Sequence, residues 1–184
     1  AYYVACLREV FEESGLLLAT TSQGQYVTFS DAATRDRFAD YRRELNEGRR
    51  SFRDIVAREE LQLDLRALEY YSHWVTPIAP PRRYDTRFFV ALAPEHQVAA
   101  HDAGETVADV WIAPTEALDR ARRGELEMIF PTVKNLEDIA HLHTAAEVVE
   151  FARQRRTIPR IEPRIVTRSG RTEILMPSDD GYDE

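Results

Sequence analysis

Glu9, Glu12 and Glu13 are the residues whose types and spacing point most directly to chemistry. At 3.6 residues per turn they lie at i, i+3 and i+4, on one face of a helix. Val4, Leu7 and Phe11 fall on a second face, which suits burial. Gly15 stands where a helix takes a left-handed residue to stop. The spacing therefore predicts a helix over residues 2–14 that buries one stripe and presents three carboxylates on another. Three clustered acids repel each other, and a hard divalent cation among them would relieve that repulsion. Mg²⁺ takes oxygen ligands octahedrally and keeps water or phosphate in its remaining positions. The plainer alternative is a solvated acidic face with an Arg8–Glu12 pair, worth a few tenths of a kcal/mol.

The full string favours the metal. Arg8, Glu9, Val10, Glu12, Glu13, Gly15 and Leu16 match, position by position, the second half of the Nudix box, G-x5-E-x7-R-E-U-x-E-E-x-G-U, where U is a bulky aliphatic. The chain thus resembles the Nudix hydrolase superfamily. The Gly and first Glu of the box would precede Ala1, so the N-terminal half of the box and the strands before it are expected upstream. A protein starting at Ala1 is accordingly expected to be inactive or nearly so. The resemblance implies Mg²⁺ or Mn²⁺ as cofactor, Glu12 and Glu13 as metal ligands, Glu9 as ligand or general base, and Arg8 as the group orienting the carboxylates.

A second resemblance follows the first. Trp74-Val75-Thr76-Pro77, then Arg83-Tyr84-Asp85-Thr86-Arg87-Phe88-Phe89, is similar to a W-x-T-P…R-(F/Y)-D-T-x-F-F segment. That segment belongs to the Nudix branch that includes the peroxisomal coenzyme A diphosphatases. Together the matches reach roughly Leu142, and Pro177…Gly181-Tyr182 also fits. The branch implies hydrolysis of coenzyme A or acyl-CoA to 3′,5′-ADP and (acyl-)4′-phosphopantetheine. ADP-ribose and nucleotide sugars are alternative substrates, and a non-catalytic nucleotide-binding module is the alternative class. Family members often take a further carboxylate from a later loop, some of them directly before a Trp. Here that slot is Val110, and Glu105 is preferred over Asp109 as the added acid.

Alternation along a strand puts Arg83, Asp85 and Arg87 on one face, with the two arginines roughly 7 Å apart. Guanidinium groups bind phosphate bidentately, which makes Arg83 and Arg87 substrate-binding candidates. Asp85 is expected to hold an arginine. The competing reading is a surface ion-pair cluster, worth little.

Length, composition and charge bound the rest. The 184 residues suffice for a domain with a sizeable core. The net charge of −8 argues against a nucleic-acid backbone as partner. No apolar run approaches the roughly 18 residues of a membrane span. Cys6, the single cysteine, excludes an intrachain disulfide and reads as a packed thiol. The expected partner is a small nucleotide-diphosphate substrate, with no nucleic acid and no membrane, in a cytoplasmic protein that could pair as a homodimer.

The remaining elements are positioned around the carboxylate helix. Residues 22–67 read as a charged helical insertion, either a surface subdomain or a wall of the substrate pocket. Within it, Ser30 is expected to cap a helix to about residue 47, carrying Thr34, Phe38, Tyr41 and Leu45, with Gly48 ending it. Ser51 starts a second helix. Residues 68–76 and 84–92 read as strands, with His73 packed rather than catalytic. A strand is expected over 106–113 and a helix from Pro114. Further helices are expected at Phe130-Pro131 and after Thr144, where Glu147 gives capping-box spacing. A hairpin over 161–166 and 172–176 and a fraying acidic tail, 178–184, complete the chain. The expected fold is α/β of the Nudix type, a mixed β-sheet between α-helices with the helical insertion after the Nudix helix, as one domain over 1–177.

Overall fold

The structure is a computed structural model and describes residues 1–78, 82–97, 110–168 and 171–183. The chain forms two compact units, one from residues 1–68 and 91–112, the other from 69–90 and 113–184.

The first unit is built around α1 (Tyr2–Ser14). Leu7 and Phe11 are buried, as the apolar stripe requires. Val4 is not: it is 42% exposed, because the stripe is covered only over its C-terminal turns. Gly15 adopts φ 73° and its N–H donates to Phe11 O at 3.0 Å, closing the helix. Leu17, Leu18 and Ala19 follow as a buried run into β1 (Ala19–Thr20). α2 (Ala32–Asn46) buries Phe38, Tyr41 and Leu45. Its cap is Asp31 rather than Ser30, since the Asp31 carboxylate accepts from Thr34 N at 2.8 Å. α3 (Phe52–Arg58) starts at a Ser51–Asp54 capping box.

Residues 22–67 are not wholly helical. β2 (Gln62–Leu63) pairs antiparallel with β1, followed by a single 3₁₀ turn. Nor is the segment a mere appendage. Phe38 meets Phe11 edge-on at 6.4 Å and Phe52 lies 6.1 Å from the same ring, so α2 and α3 complete the core that α1 begins.

The second unit holds a mixed sheet in the order β4-β3-β5. β3 (Glu69–Val75) pairs antiparallel with β4 (Asp85–Val90) and parallel with β5 (Arg160–Ile161). Ile161 therefore belongs to this sheet and not to the hairpin. The hairpin itself is β6 (Arg164–Arg168) with β7 (Arg171–Leu175). α4 (Pro114–Arg122) begins at Pro114, and the preceding residue is extended as a residue before proline must be. Residues 110–113 are consequently not strand, while 106–109 lie outside the described residues. α5 (Phe130–Ile139) and α6 (Ala145–Gln154) follow, the latter from a Thr144–Glu147 capping box.

Asn135 fastens α5 to β3. Its Oδ1 accepts from Ser72 Oγ at 2.8 Å and from Trp74 Nε1 at 3.1 Å. Within the acidic tail, Tyr182 makes two hydrogen bonds back to the chain. Tyr182 Oη donates to Glu162 O at 2.6 Å, and the Arg164 guanidinium stacks 5.1 Å from the Tyr182 ring and donates to its carbonyl. Among the described residues no helix is long and apolar enough to cross a membrane.

Candidate active site

The carboxylate face of α1 forms as its spacing requires. Arg8, between the acids, donates from Nη1 to Glu12 Oε2 and from Nη2 to Glu9 Oε1. One planar guanidinium thus bridges two carboxylates across a helical turn, a geometry that lysine's single point charge does not reproduce. The bond to Glu12 above all raises the Arg8 guanidinium above its ordinary value. Burial, with the Glu9 charge adding to it, pushes the Cys6 thiol up.

The donor set suits a hard cation. Mg²⁺ is usually held by one or two carboxylates, with phosphate oxygens and waters filling its octahedron. Glu9, Glu12 and Glu13 supply that ligand type from one face. Among the described residues no group of three or more His, Cys, Asp and Glu side chains is placed to hold a metal ion, Glu9, Glu12 and Glu13 included. Two carboxylates plus substrate phosphate is the mode these residues fit. Repulsion among the acids is relieved in part by Arg8 itself, through the expected pair with Glu12 and a second bond to Glu9.

Three residues that sequence reasoning did not single out hold this helix in place. Arg42, on α2, donates from Nε to Glu12 O at 2.8 Å and from Nη2 to Glu13 O. Asn46 Nδ2 reaches Glu12 O at 3.4 Å. Gln97 is buried and fixes the segment after α1: its Oε1 accepts from Leu17 N at 2.8 Å, and its Nε2 donates to Leu17 O and Val27 O at 3.1 and 2.7 Å. No local pattern marks these residues, because their partners lie about 30 to 80 positions away. Glu105 and Asp109 lie outside the described residues.

In the second unit, Arg87 Nη1 donates to Asp85 Oδ1 at 2.8 Å, and His73 Nε2 lies 2.6 Å from the same oxygen. Asp85 thus holds an arginine, as expected, and His73 is packed against it. Arg83 precedes β4 instead of sharing its face. It turns back, with Nε donating to Thr76 O at 3.0 Å and Nη2 to Glu162. Both substrate-binding candidates therefore carry protein carboxylate partners.

The hydrogen bond to His73, then the Arg87 charge, holds the Asp85 carboxyl below its usual range. A depressed carboxyl contributes stability above the unfolded-state value and loses it as pH falls through the folded value. His73→Phe is expected to move the Asp85 titration back up toward the ordinary carboxyl range. Carbon-detected NMR titration of the carboxyl checks this, and an unmoved midpoint would assign the shift to Arg87 instead.

β3, β4, α5 and the hairpin also line an apolar cleft of about 380 Å³. Trp74, Phe88, Phe130, Ile165 and Ile174 are among its walls. Two of its polar wall atoms are engaged elsewhere: Trp74 Nε1 on Asn135, and Thr76 Oγ1 on Tyr84 N at 3.0 Å.

A mixed α/β chain whose first helix carries this carboxylate face is of the Nudix type, and comparison with known proteins agrees. Residues 1–139 match the NUDT19 Nudix domain, and the chain belongs to that family. It is 24% identical over 192 residues to the acyl-coenzyme A diphosphatase NUDT19 of Xenopus laevis, covering 98% of this chain and 50% of that protein. Against the Homo sapiens protein of that name it is 27% identical over 190 residues, covering 99% and 51%. The chain thus spans about half the length of these curated relatives. Its fold is similar to the crystal structure of a NUDIX hydrolase from Alicyclobacillus acidocaldarius, with a TM-score of 0.69 and 26% identity over 80% of this chain and 64% of that one.

Proposed function

We propose that the protein is a Mg²⁺- or Mn²⁺-dependent diphosphatase that cuts coenzyme A or acyl-CoA to 3′,5′-ADP and (acyl-)4′-phosphopantetheine. The observation that carries this is the bridged carboxylate face of α1, in a chain of the NUDT19 Nudix domain family. Water attacks one diphosphate phosphorus, forming a new P–O bond as the bridging P–O bond breaks. When bound, the metal neutralises the diphosphate and lowers the pKa of the attacking water. Glu12 and Glu13 hold it. Glu9 is a further ligand or takes the water's proton, with Glu105 as an additional acid. Arg8 keeps the carboxylates aimed through its two charge-assisted bonds.

By itself, the apolar lining of the cleft in the second unit suits an aliphatic group better than a sugar. The acidic net charge of −8 supports a small molecule rather than a nucleic acid as partner.

The test is product analysis by chromatography with Mg²⁺ and Mn²⁺, on protein that includes the upstream half of the box. Coenzyme A, an acyl-CoA series and ADP-ribose are compared. Release of 3′,5′-ADP supports the reading. Cleavage of ADP-ribose alone reassigns the substrate, and tight binding without cleavage of any compound makes the protein a binding module.

Arg83 and Arg87 are proposed to bind substrate phosphates. Losing one charge-assisted hydrogen bond costs about 1.5–3 kcal/mol. Each arginine must first leave Asp85 or Glu162, so the low end applies. Arg87→Ala or Arg83→Ala is expected to raise KM roughly 10-fold with a smaller change in kcat. One of the two should also alter discrimination between coenzyme A and 3′-dephospho-coenzyme A. Unchanged kcat/KM ratios in both variants would remove both arginines from 3′-phosphate recognition.

A further inference from the structure

The last turn of a helix leaves carbonyls without partners, and α1 ends on the residues that carry its acids. Phe11 O is taken by Gly15 N at 3.0 Å. The next two amides that could continue the ladder are diverted. Leu16 N donates to Ser14 Oγ at 3.3 Å, and Leu17 N to Gln97 Oε1 at 2.8 Å. Glu12 O and Glu13 O are instead met by Arg42, through Nε and Nη2 of one guanidinium. A cation at this end also complements the helix dipole. The contact needs Gly15 for more than its backbone angle. A Cβ there would lie 3.3 Å from Arg42 Nη1, tight against the group that caps the helix.

We propose that Arg42 is a positioning residue: by gripping the main-chain carbonyls of Glu12 and Glu13, it fixes the direction of both carboxylates and so sets their affinity for a divalent cation. The segment between α1 and β3 then acts on the chemistry through a side chain that never touches substrate. This inference rests on the metal role given to α1 under the proposed function.

The backbone argument predicts more than a loss of stability. A carboxylate pair aimed by a fixed turn binds a cation in a defined geometry. Freeing the turn leaves the same charges on a wider range of directions. Removal of a group that orients metal ligands typically costs 10- to 100-fold in metal affinity. Lysine at position 42 keeps the positive charge but lacks the planar fork that spans two carbonyls.

The experiment titrates Mn²⁺ into wild type, Arg42→Ala and Arg42→Lys, full chain and without substrate. Free Mn²⁺ is read by electron paramagnetic resonance, below the unfolding temperature of each variant as set by circular dichroism. Arg42→Ala is expected to weaken Mn²⁺ binding roughly 10- to 100-fold. Arg42→Lys should recover only part of that loss. Asn46→Ala, which removes the longer bond to Glu12 O and leaves the Arg42 guanidinium in place, should stay near wild type. If Arg42→Ala does not fold, the lysine variant carries the test, and wild-type affinity in it would overturn the proposal. Wild-type affinity in a folded Arg42→Ala overturns it as well, while leaving the metal role of α1 intact. A wild-type protein that binds no Mn²⁺ overturns both.

Discussion

Glu12→Gln, and separately Glu13→Gln, should lower kcat roughly 10²- to 10³-fold while leaving the protein folded. The size follows from removing one charged group from a preorganised electrostatic site. The fold should hold because glutamine keeps the side-chain length and, at position 12, an oxygen that can still accept from Arg8. The ion pair it weakens at position 12 is of the helical i,i+4 kind, worth only a few tenths of a kcal/mol. The backbone carbonyls that Arg42 grips are untouched by either change. Initial rates at saturating Mg²⁺, paired with thermal melts, make the comparison. Near wild-type turnover in either variant would remove that residue from the metal site. An equal collapse of rate and melting temperature would make its role structural.

Phe38→Ala should destabilise the protein by about 3–5 kcal/mol, the usual cost of truncating a buried phenylalanine. Phe38 is buried among Phe11 at 6.4 Å, Phe29 at 5.3 Å and Tyr41 at 5.6 Å, two of these contacts being edge-on. Edge-on aromatic pairs add about 0.5–1.5 kcal/mol beyond area burial. A loss of that size is a large share of the 5–15 kcal/mol that typically holds a domain together. Denaturant unfolding gives the value, with an unchanged slope confirming that stability alone has moved. Were residues 22–67 a surface appendage, the same change would cost well under 1 kcal/mol. That smaller outcome would separate the segment from the core of the carboxylate helix.

The contrast between these two positions shows what was legible in the chain. The acids of α1 were readable one by one, because a motif with fixed spacing needs only the helical period to become a face. The Thr144–Glu147 capping box and the helix start at Ser51 were equally local, while the Asp54 half of the box at Ser51 came from the structure. Phe38 was placed on the correct stripe of its helix, yet what that stripe packs against was not readable. The period of a helix states which residues share a face, not which other face receives them.

Where the sequence reading missed, a distant partner or a competing local group decided. Val4 shares the apolar stripe but is exposed, because cover depends on the neighbouring elements. Asp31 replaced Ser30 as a cap because its carboxylate reaches Thr34 N one residue further on. Ile161 left the expected hairpin for a parallel pairing with Trp74, 87 residues earlier, which no local alternation encodes.

By itself the sequence determined the carboxylate face, its Arg8 bridge, the helix stop at Gly15 and the family to which the chain belongs. The first three follow from residues within about four positions of one another, where helix geometry leaves few choices, and the family from a motif of fixed spacing over Arg8–Leu16. Only the tertiary structure decided that Arg42 caps the carbonyls of Glu12 and Glu13, that Gln97 ties down the segment after them, and that Arg83 and Arg87 are paired with Glu162 and Asp85. Except for Arg87 with Asp85, these bonds join groups about 30 to 80 residues apart. A long-range hydrogen bond forms only once packing has brought both chain segments together, and packing is a property of the whole core.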